Sequence, residues 1–294
     1  MDVSVIIVNY NTCQMTSECI DSIFEKTSGI KFEVILVDNA STDGSKEHFE
    51  KDGRIKYIYS SENLGFGKAN NLGYEYSCGR YIFLLNSDTF LINNAIKILS
   101  DFLDSHGNVA IAGGQLYNKD MNRVHSFRYI YPSILSELDM FLHFTIYRLI
   151  EKCKNREINK NGFTKVAYIT GADMILRKED IEKYGFFDPD FFMYFEETEL
   201  SYRYKRKKLY SYFYPQAKIV HLENISFKGN RVRSEIFLQS RKLYFKKTHS
   251  KIYQSLVDIL YMMTCVSRML LYAFNTTKFN IWRIRYKDFN KANL

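Results

Sequence analysis

Proline is scarce. Three in 294 residues, with no low-complexity stretch and no internal repeat, leave no room for a proline-rich spacer or a repeat array. Five cysteines (Cys13, Cys19, Cys78, Cys153, Cys265) are scattered without metal-ligand spacing. That excludes a zinc framework and reads as reduced thiols of a cytosolic chain. No signal peptide is expected, because Met1-Asp2-Val3-Ser4-Val5 runs straight into a strand. No apolar run is long enough for a spanning helix: the most apolar stretch, 255–274, is interrupted by Asp258 and Arg268. Acid is sparse in one region only. Residues 201–294 hold 20 Lys/Arg against 4 Asp/Glu, a net of +16, whereas residues 1–200 hold 21 against 29, a net of −8. A basic module therefore follows a mildly acidic body. Its partner would be nucleic acid, an anionic bilayer or a phosphorylated substrate.

What is present is ample core material, with 46% hydrophobic residues. Short apolar runs punctuate the first ninety or so residues: 4–8, 32–37, 55–59 and 81–85. Helical spacing fills 13–27 and 68–78, and a third helix is capped near Thr42 or Asp43. This alternation predicts an α/β chain with a Rossmann-like, mostly parallel central sheet and right-handed crossovers. Such sheets bind ligands beyond the carboxyl ends of their strands. Polar residues stand at each of those ends: Asn9-Tyr10-Asn11, Asp38-Asn39, Asn63 and Asn86-Ser87-Asp88. Residues 115–165 are less regular, aromatic and basic, like an insertion lining a site. Residues 171–176 resume the sheet, a helix bearing Arg203 follows Glu196, and Ile219-Val220-His221 ends another strand.

Six segments occur in order: SVIIVNYN, EVILVDNASTDGS, NLGFGKANNLG, LLNSDT, TGADMILRKEDIEKYGFFDPDFFMYFEETELSYR and AKIVHLENIS. Together, over roughly residues 3–247, the set resembles family 2 glycosyltransferases of the GT-A fold, in particular bacterial rhamnosyltransferase-like enzymes. The resemblance implies an inverting transfer of a sugar from a nucleotide donor to a saccharide acceptor in surface polysaccharide synthesis. dTDP-L-rhamnose is the favoured donor and a UDP-hexose the next. The acceptor would be lipid-linked, on a polyprenyl diphosphate.

Asn86-Ser87-Asp88 stands at the family's Asp-x-Asp position. A departing diphosphate needs a divalent cation, Mg²⁺ or Mn²⁺, as Lewis acid. Asp88 is the implied ligand, with His221 completing the metal or diphosphate site. Asn86 replaces the acidic residue and would meet the ribose or a metal-bound water. Asp38 ends a buried strand, where a carboxylate can accept from a pyrimidine N–H or a ribose hydroxyl. An Asx-turn is its structural alternative. Val8, Tyr10, Asn11, Asn39, Asn63 and Gly67 complete the expected nucleotide set. Tyr10 offers a face for the base. Glycine allows close backbone approach, and Lys68 or Asn71 would reach phosphate or sugar. Glu196-Glu197 occupies the family's paired-acid position. An inverting enzyme needs one general base and no enzyme nucleophile. Glu197 is the expected base and Glu196 the alternative. Glu199, four before Arg203, is expected to form a structural pair with it. Asp173 and Asp188 are expected to shape the acceptor side, and His125 and Arg128 to meet the acceptor.

In 255–274, Asp258, Tyr261, Cys265, Arg268 and Tyr272 form one narrow polar stripe. An interfacial or dimer-forming helix is expected, with basic flanks toward anionic lipid. Residues 1–250 are thus expected as the catalytic domain and 251–294 as a basic helical extension, peripheral at the inner face of the cell membrane. A non-catalytic nucleic-acid- or membrane-binding protein is the alternative. Against nucleic acid, no DNA- or RNA-reading motif accompanies the charge, and strand-end acids repel phosphate without a metal. A nucleotidyltransferase would need a Gly-rich, Arg/Lys-bearing N-terminal loop, which is missing.

Overall fold

The computed structural model describes residues 1–222 and 230–292. Its first half follows the apolar runs. Strands β1 (Val3–Asn9), β2 (Phe32–Asn39), β3 (Lys56–Ser60) and β4 (Tyr81–Asn86) lie in the order β3-β2-β1-β4, every pair parallel. Helices α1 (Cys13–Lys26), α2 (Ser45–Phe49) and α3 (Gly65–Glu75) make the crossovers. The chain steps outward from β1 to β3, then returns to the other side of β1. That reversal opens a crevice at the carboxyl ends of β1 and β4. Register sets the polar ends level, with Asn9 opposite Asp38 and Val8 opposite Asn86.

The second half departs from the parallel pattern. It comprises β5 (Thr89–Leu91), α4 (Ala95–Ser105), β6 (Val109–Tyr117), β7 (Arg123–Val124), β8 (Phe127–Arg128), α5 (Ile134–Phe141) and α6 (Thr145–Asn161). Then come β9 (Thr164–Val166), β10 (Tyr168–Ile169), β11 (Asp173–Arg177), α7 (Lys178–Tyr184), α8 (Glu196–Lys205) and β12 (Tyr210–His221). The sheet continues β4-β11-β6-β12-β5. β11 is antiparallel to both neighbours, and β5 is antiparallel to β12. The reason is the connection. The chain leaves the top of β6, β9 pairs antiparallel with the first residues of β12 along the way, and β11 starts from the top again. A return without a crossover must be antiparallel.

Alternation along β1 divides the core. Val3, Val5 and Ile7 join Ile20 and Ile23 of α1 and Leu99 of α4 on one face. Ile6 turns to the other, with Ile181 of α7 and with Leu200 and Tyr204 of α8. The result is three layers, helix–sheet–helix, each fully buried aliphatic side chain contributing about 1.5–3 kcal/mol.

Three helices close the chain: α9 (Asn230–Thr248), α10 (Lys251–Leu271) and α11 (Thr276–Ala292). Tyr244 and Phe245 of α9 and Val257 of α10 pack on Phe191 and Phe195, just before α8. The expected polar stripe of α10 turns inward. Tyr261, Cys265 and Arg268 are buried, while Ile259, Met263, Val266 and Leu270 are exposed. Polar partners explain the orientation. Buried Arg241 of α9 pairs with Glu137 of α5 at 2.9 Å and with Asp258 of α10 at 2.8 Å. Arg268 donates to the Met140 carbonyl. No described helix is long and apolar enough to cross a membrane.

Candidate active site

The β1 and β2 ends form a hydrogen-bonded floor. Asn9 is fully buried; its amide donates to Ser41 and Ser45, and its oxygen accepts from Thr12 and Thr16. Asn11 sits at φ 55 and accepts from Thr42 N–H at 2.7 Å, tying the two strand-end loops together. Asp38 accepts from Ser41 N–H at 3.0 Å, the Asx-turn, and from Tyr57 Oη at 2.7 Å. Burial first, then this carboxylate, push the Tyr57 phenol upward, so it stays a donor. Asp38 is fully buried, and each of its oxygens keeps a second lone pair beyond these bonds. Tyr10 and Val8, at the mouth, are half-buried.

Asn39 and Asn63 latch the next loop. Asn39 donates to the Asn63 amide oxygen at 2.9 Å and accepts from Leu64 N–H at 2.8 Å. Gly65 follows at φ +77, and a Cβ there would lie 2.2 Å from the Phe192 carbonyl oxygen. Phe66 N–H donates to that same carbonyl at 2.8 Å. Gly67 faces Phe187, the Phe191 carbonyl and the Glu196 side chain. Gly65 therefore admits the protein's own 187–196 segment, and Gly67 touches it at ordinary contact distance. Asn71 also donates to it, at the Phe187 carbonyl.

At the β4 end three polar groups converge. His221 Nε2 lies 3.2 Å from Asp88 Oδ1 and 3.4 Å from Asn86 Nδ2. β5 makes this possible, because it pairs Thr89 with His221. Ser87 is used structurally, 3.0 Å from Thr12 Oγ1. Among the described residues no group of three or more His, Cys, Asp or Glu could hold a metal. One carboxylate and one imidazole fit a cation whose remaining ligands are diphosphate oxygens and water. They do not fit a protein-only cage. The end of the sixth motif, Glu223 to Ser226, lies outside the described residues.

The paired acids open α8 after two residues in left-handed backbone, Tyr194 and Phe195, both at φ 68. Neither is glycine, so the turn is strained by about 1–3 kcal/mol per residue and is held by the packing of Phe195 on Tyr244. Glu196 is buried, Glu197 half-buried, and each has an ε2 oxygen without a hydrogen-bond partner among the described residues. Burial raises Glu197 to about 7. It raises Glu196 well above the carboxylate range, with the Glu197 charge as second cause.

Other expected residues separate. Glu199 pairs with Arg203 at 3.1 Å, and Arg203 also donates to the Gly185 and Phe186 carbonyls, a structural brace. Asp188 meets Lys247 of α9 at 2.6 Å. Asp173 is buried in β11, accepting from Gly114 N–H, and burial raises its carboxyl strongly. His125 is exposed, and so is Arg128 on β8. Arg128 pairs in register with Tyr168 of β10. Tyr168 carries no sequence signal of its own. Its phenol is pushed up to about 12 by burial and then by the Glu197 charge. It stands beside the acid pair, in a two-residue strand too short to leave a periodic signal.

The model of the family described as glycosyl transferase family 2 matches residues 4–185. The low-salt glycan biosynthesis hexosyltransferase Agl10 of Haloferax volcanii is 25% identical over 92% of this chain and 85% of its own length. Glycosyltransferase GlyG of Streptococcus pneumoniae is 27% identical over 60% of this chain, which spans 57% of that relative. Two solved structures share the fold. GalNAc-T7 with UDP, GalNAc and Mn²⁺ superposes with TM-score 0.63 at 15% identity, over 84% of this chain and 48% of its own. The mannosyltransferase PcManGT of Pyrobaculum calidifontis, with GDP-Man and Mn²⁺, gives 0.61 at 14% identity, over 99% and 85%.

Proposed function

Because the chain belongs to glycosyl transferase family 2 and has the GT-A fold, we propose an inverting, metal-dependent hexosyl or deoxyhexosyl transfer to a lipid-linked saccharide. The observation carrying this reading is the meeting of Asn86, Asp88 and His221 at the sheet's reversal point, on the side where Asp38 ends β2. Tyr10 and Asp38 hold the base and ribose, with Val8, Asn11, Asn39, Asn63 and Gly67 shaping the floor. Asp88 and His221 hold Mg²⁺ or Mn²⁺, which supplies charge neutralisation at the leaving diphosphate when bound. Glu197 takes the proton of the acceptor hydroxyl as its oxygen bonds to the anomeric carbon and the carbon–phosphate oxygen bond breaks. The donor is a pyrimidine-nucleotide sugar. The hexosyltransferase name of the haloarchaeal relative favours a UDP-hexose, with dTDP-L-rhamnose the alternative. Residues 1–250 carry this chemistry. Residues 251–294 place it peripherally at the inner face of the cell membrane.

The test is nucleoside diphosphate release with Mn²⁺ from UDP-glucose, UDP-galactose, dTDP-L-rhamnose and GDP-mannose. We expect release from one pyrimidine donor and its loss in excess chelator. No release from any nucleotide sugar, alone or with a lipid-linked saccharide extract, would overturn the transferase reading.

A further inference from the structure

Helix α10 is inverted relative to an ordinary surface helix. Ile252, Leu256, Ile259, Met263, Val266 and Leu270 recur every three or four residues, and all six are exposed. The polar side is spent inside, on Arg241 and the Met140 carbonyl. The apolar surface does not end with α10. A groove of about 440 Å³ runs between Phe141 of α5, the α10 face and Tyr286 of α11. On α5, Leu135 and Leu138, with Leu142 just beyond, add three exposed apolar side chains at i, i+3, i+7 spacing. Past α10, Phe274 is fully exposed. A continuous apolar face of this kind marks an interaction surface.

Charge decides what covers it. α11 borders the face and exposes Lys278, Arg283, Arg285 and Lys287. None of the four forms an ion pair among the described residues. Between them stand exposed Ile281 and Ile284, and half-buried Trp282 lies under Arg285 at 4.6 Å. Cations interleaved with apolar and indole side chains suit a headgroup layer, where stems dip and charges reach phosphate. Arg283 and Lys287, one turn apart on α11 and flanking the groove residue Tyr286, would meet their own counterparts if a second copy covered this face.

We propose that the α5–α10–α11 face is the surface on which the enzyme lies on an anionic bilayer, with α10 parallel to the plane and its apolar side in the headgroup–acyl boundary. This rests on the lipid-linked-acceptor reading above and gives it a geometry. The buried side of α10 bears on the aromatic cluster of Phe191 and Phe195, the wall that precedes Glu196. Docking would thus hold the paired acids close to the level at which a lipid diphosphate emerges.

The experiment is co-sedimentation of the full chain with phosphatidylcholine vesicles, with and without phosphatidylglycerol, alongside Ile259→Glu and Val266→Glu. Both positions are exposed and outside the site, so melting and donor hydrolysis should match the parent. Binding is expected only to the anionic vesicles, to weaken with salt, and to fall on the order of tenfold for each substitution. Arg283→Gln/Lys287→Gln should weaken binding, each cation being worth about 1 kcal/mol near such a surface. Equal binding by parent and Glu variants would overturn the proposal. So would a parent indifferent to anionic lipid, or one that sediments as a dimer which Val266→Glu splits. Sedimentation does not depend on turnover, so a parent that hydrolyses donor yet ignores vesicles loses this face and keeps the transferase reading.

Discussion

Glu197 gains its basicity at a cost in stability. Burial holds its carboxyl at about 7, against an ordinary 4.5. The folded state thus binds a proton that the unfolded state has released between those values. Stability falls as pH rises from about 4.5 to 7 and stays lower above. Glu197→Gln removes the titration. Denaturant melts at pH 8 should show it more stable than the parent, by up to about 3 kcal/mol. The same change should lower transfer by about 10²–10⁴ while donor affinity stays within a few-fold, because the proposed donor site lies on other residues. In the parent, the acceptor-dependent rate should rise with pH through about 7. A dead Glu196→Gln beside an active Glu197→Gln would exchange the two roles. The second residue-scale expectation concerns Asp88. Asp88→Ala leaves His221 as the one His, Cys, Asp or Glu side chain of the β4-end cluster among the described residues. Metal titration followed by Mn²⁺ paramagnetic resonance should then show weakened binding in the presence of nucleoside diphosphate. Unchanged binding would remove Asp88 from the metal site.

At the scale of elements, Gly65 is where two halves of the site meet. Its φ of +77 and its 2.2 Å virtual contact with the Phe192 carbonyl leave no room for a methyl. Gly65→Ala should cost at least about 2 kcal/mol and should displace the 187–196 segment. Thermal melts measure the first effect, and a loss of transfer larger than the loss of nucleotide binding measures the second. This contact also marks the limit of what the sequence made legible. The β-branched runs, their polar ends and the paired acids could be read directly, because strand burial and charge are local properties. That Gly65 receives the chain's own loop could not be read, since both a phosphate and a carbonyl ask for the same missing Cβ. The antiparallel entry of β11 was hidden for a similar reason: a buried strand looks alike in either direction. Tyr168 was invisible because its neighbour Glu197 lies far away in the chain. The α10 stripe was visible, but its orientation was not. Tyr261, Cys265 and Arg268 turn inward onto partners on α5, α9 and α11.

Across the whole molecule, one buried ionic cluster joins the C-terminal helices to the catalytic body. Arg241 of α9 is 4% exposed and holds Glu137 of α5 and Asp258 of α10. Its guanidinium also lies 5.0 Å from the Phe245 ring, in the cluster that contains Phe195. The three helices are thus coupled to the strained turn before Glu196. Removing the cation alone leaves Glu137 buried and uncompensated, and burial already raises that carboxyl. Arg241→Ala should therefore destabilise by about 3–5 kcal/mol. Arg241→Met with Glu137→Leu fills the space and buries no charge, so it should recover most of that loss. Asp258 is less demanding, because it is partly exposed and can turn to water. The kinetic consequence separates support from simple folding. If the cluster holds the turn, Arg241→Ala should lose acceptor-dependent transfer at temperatures well below its melt, while nucleotide binding at the β1–β4 crevice persists. The double variant should regain both stability and rate. A double variant that is stable yet still slow would mean that the charge cluster sets the position of Glu197 through its geometry, beyond merely filling space.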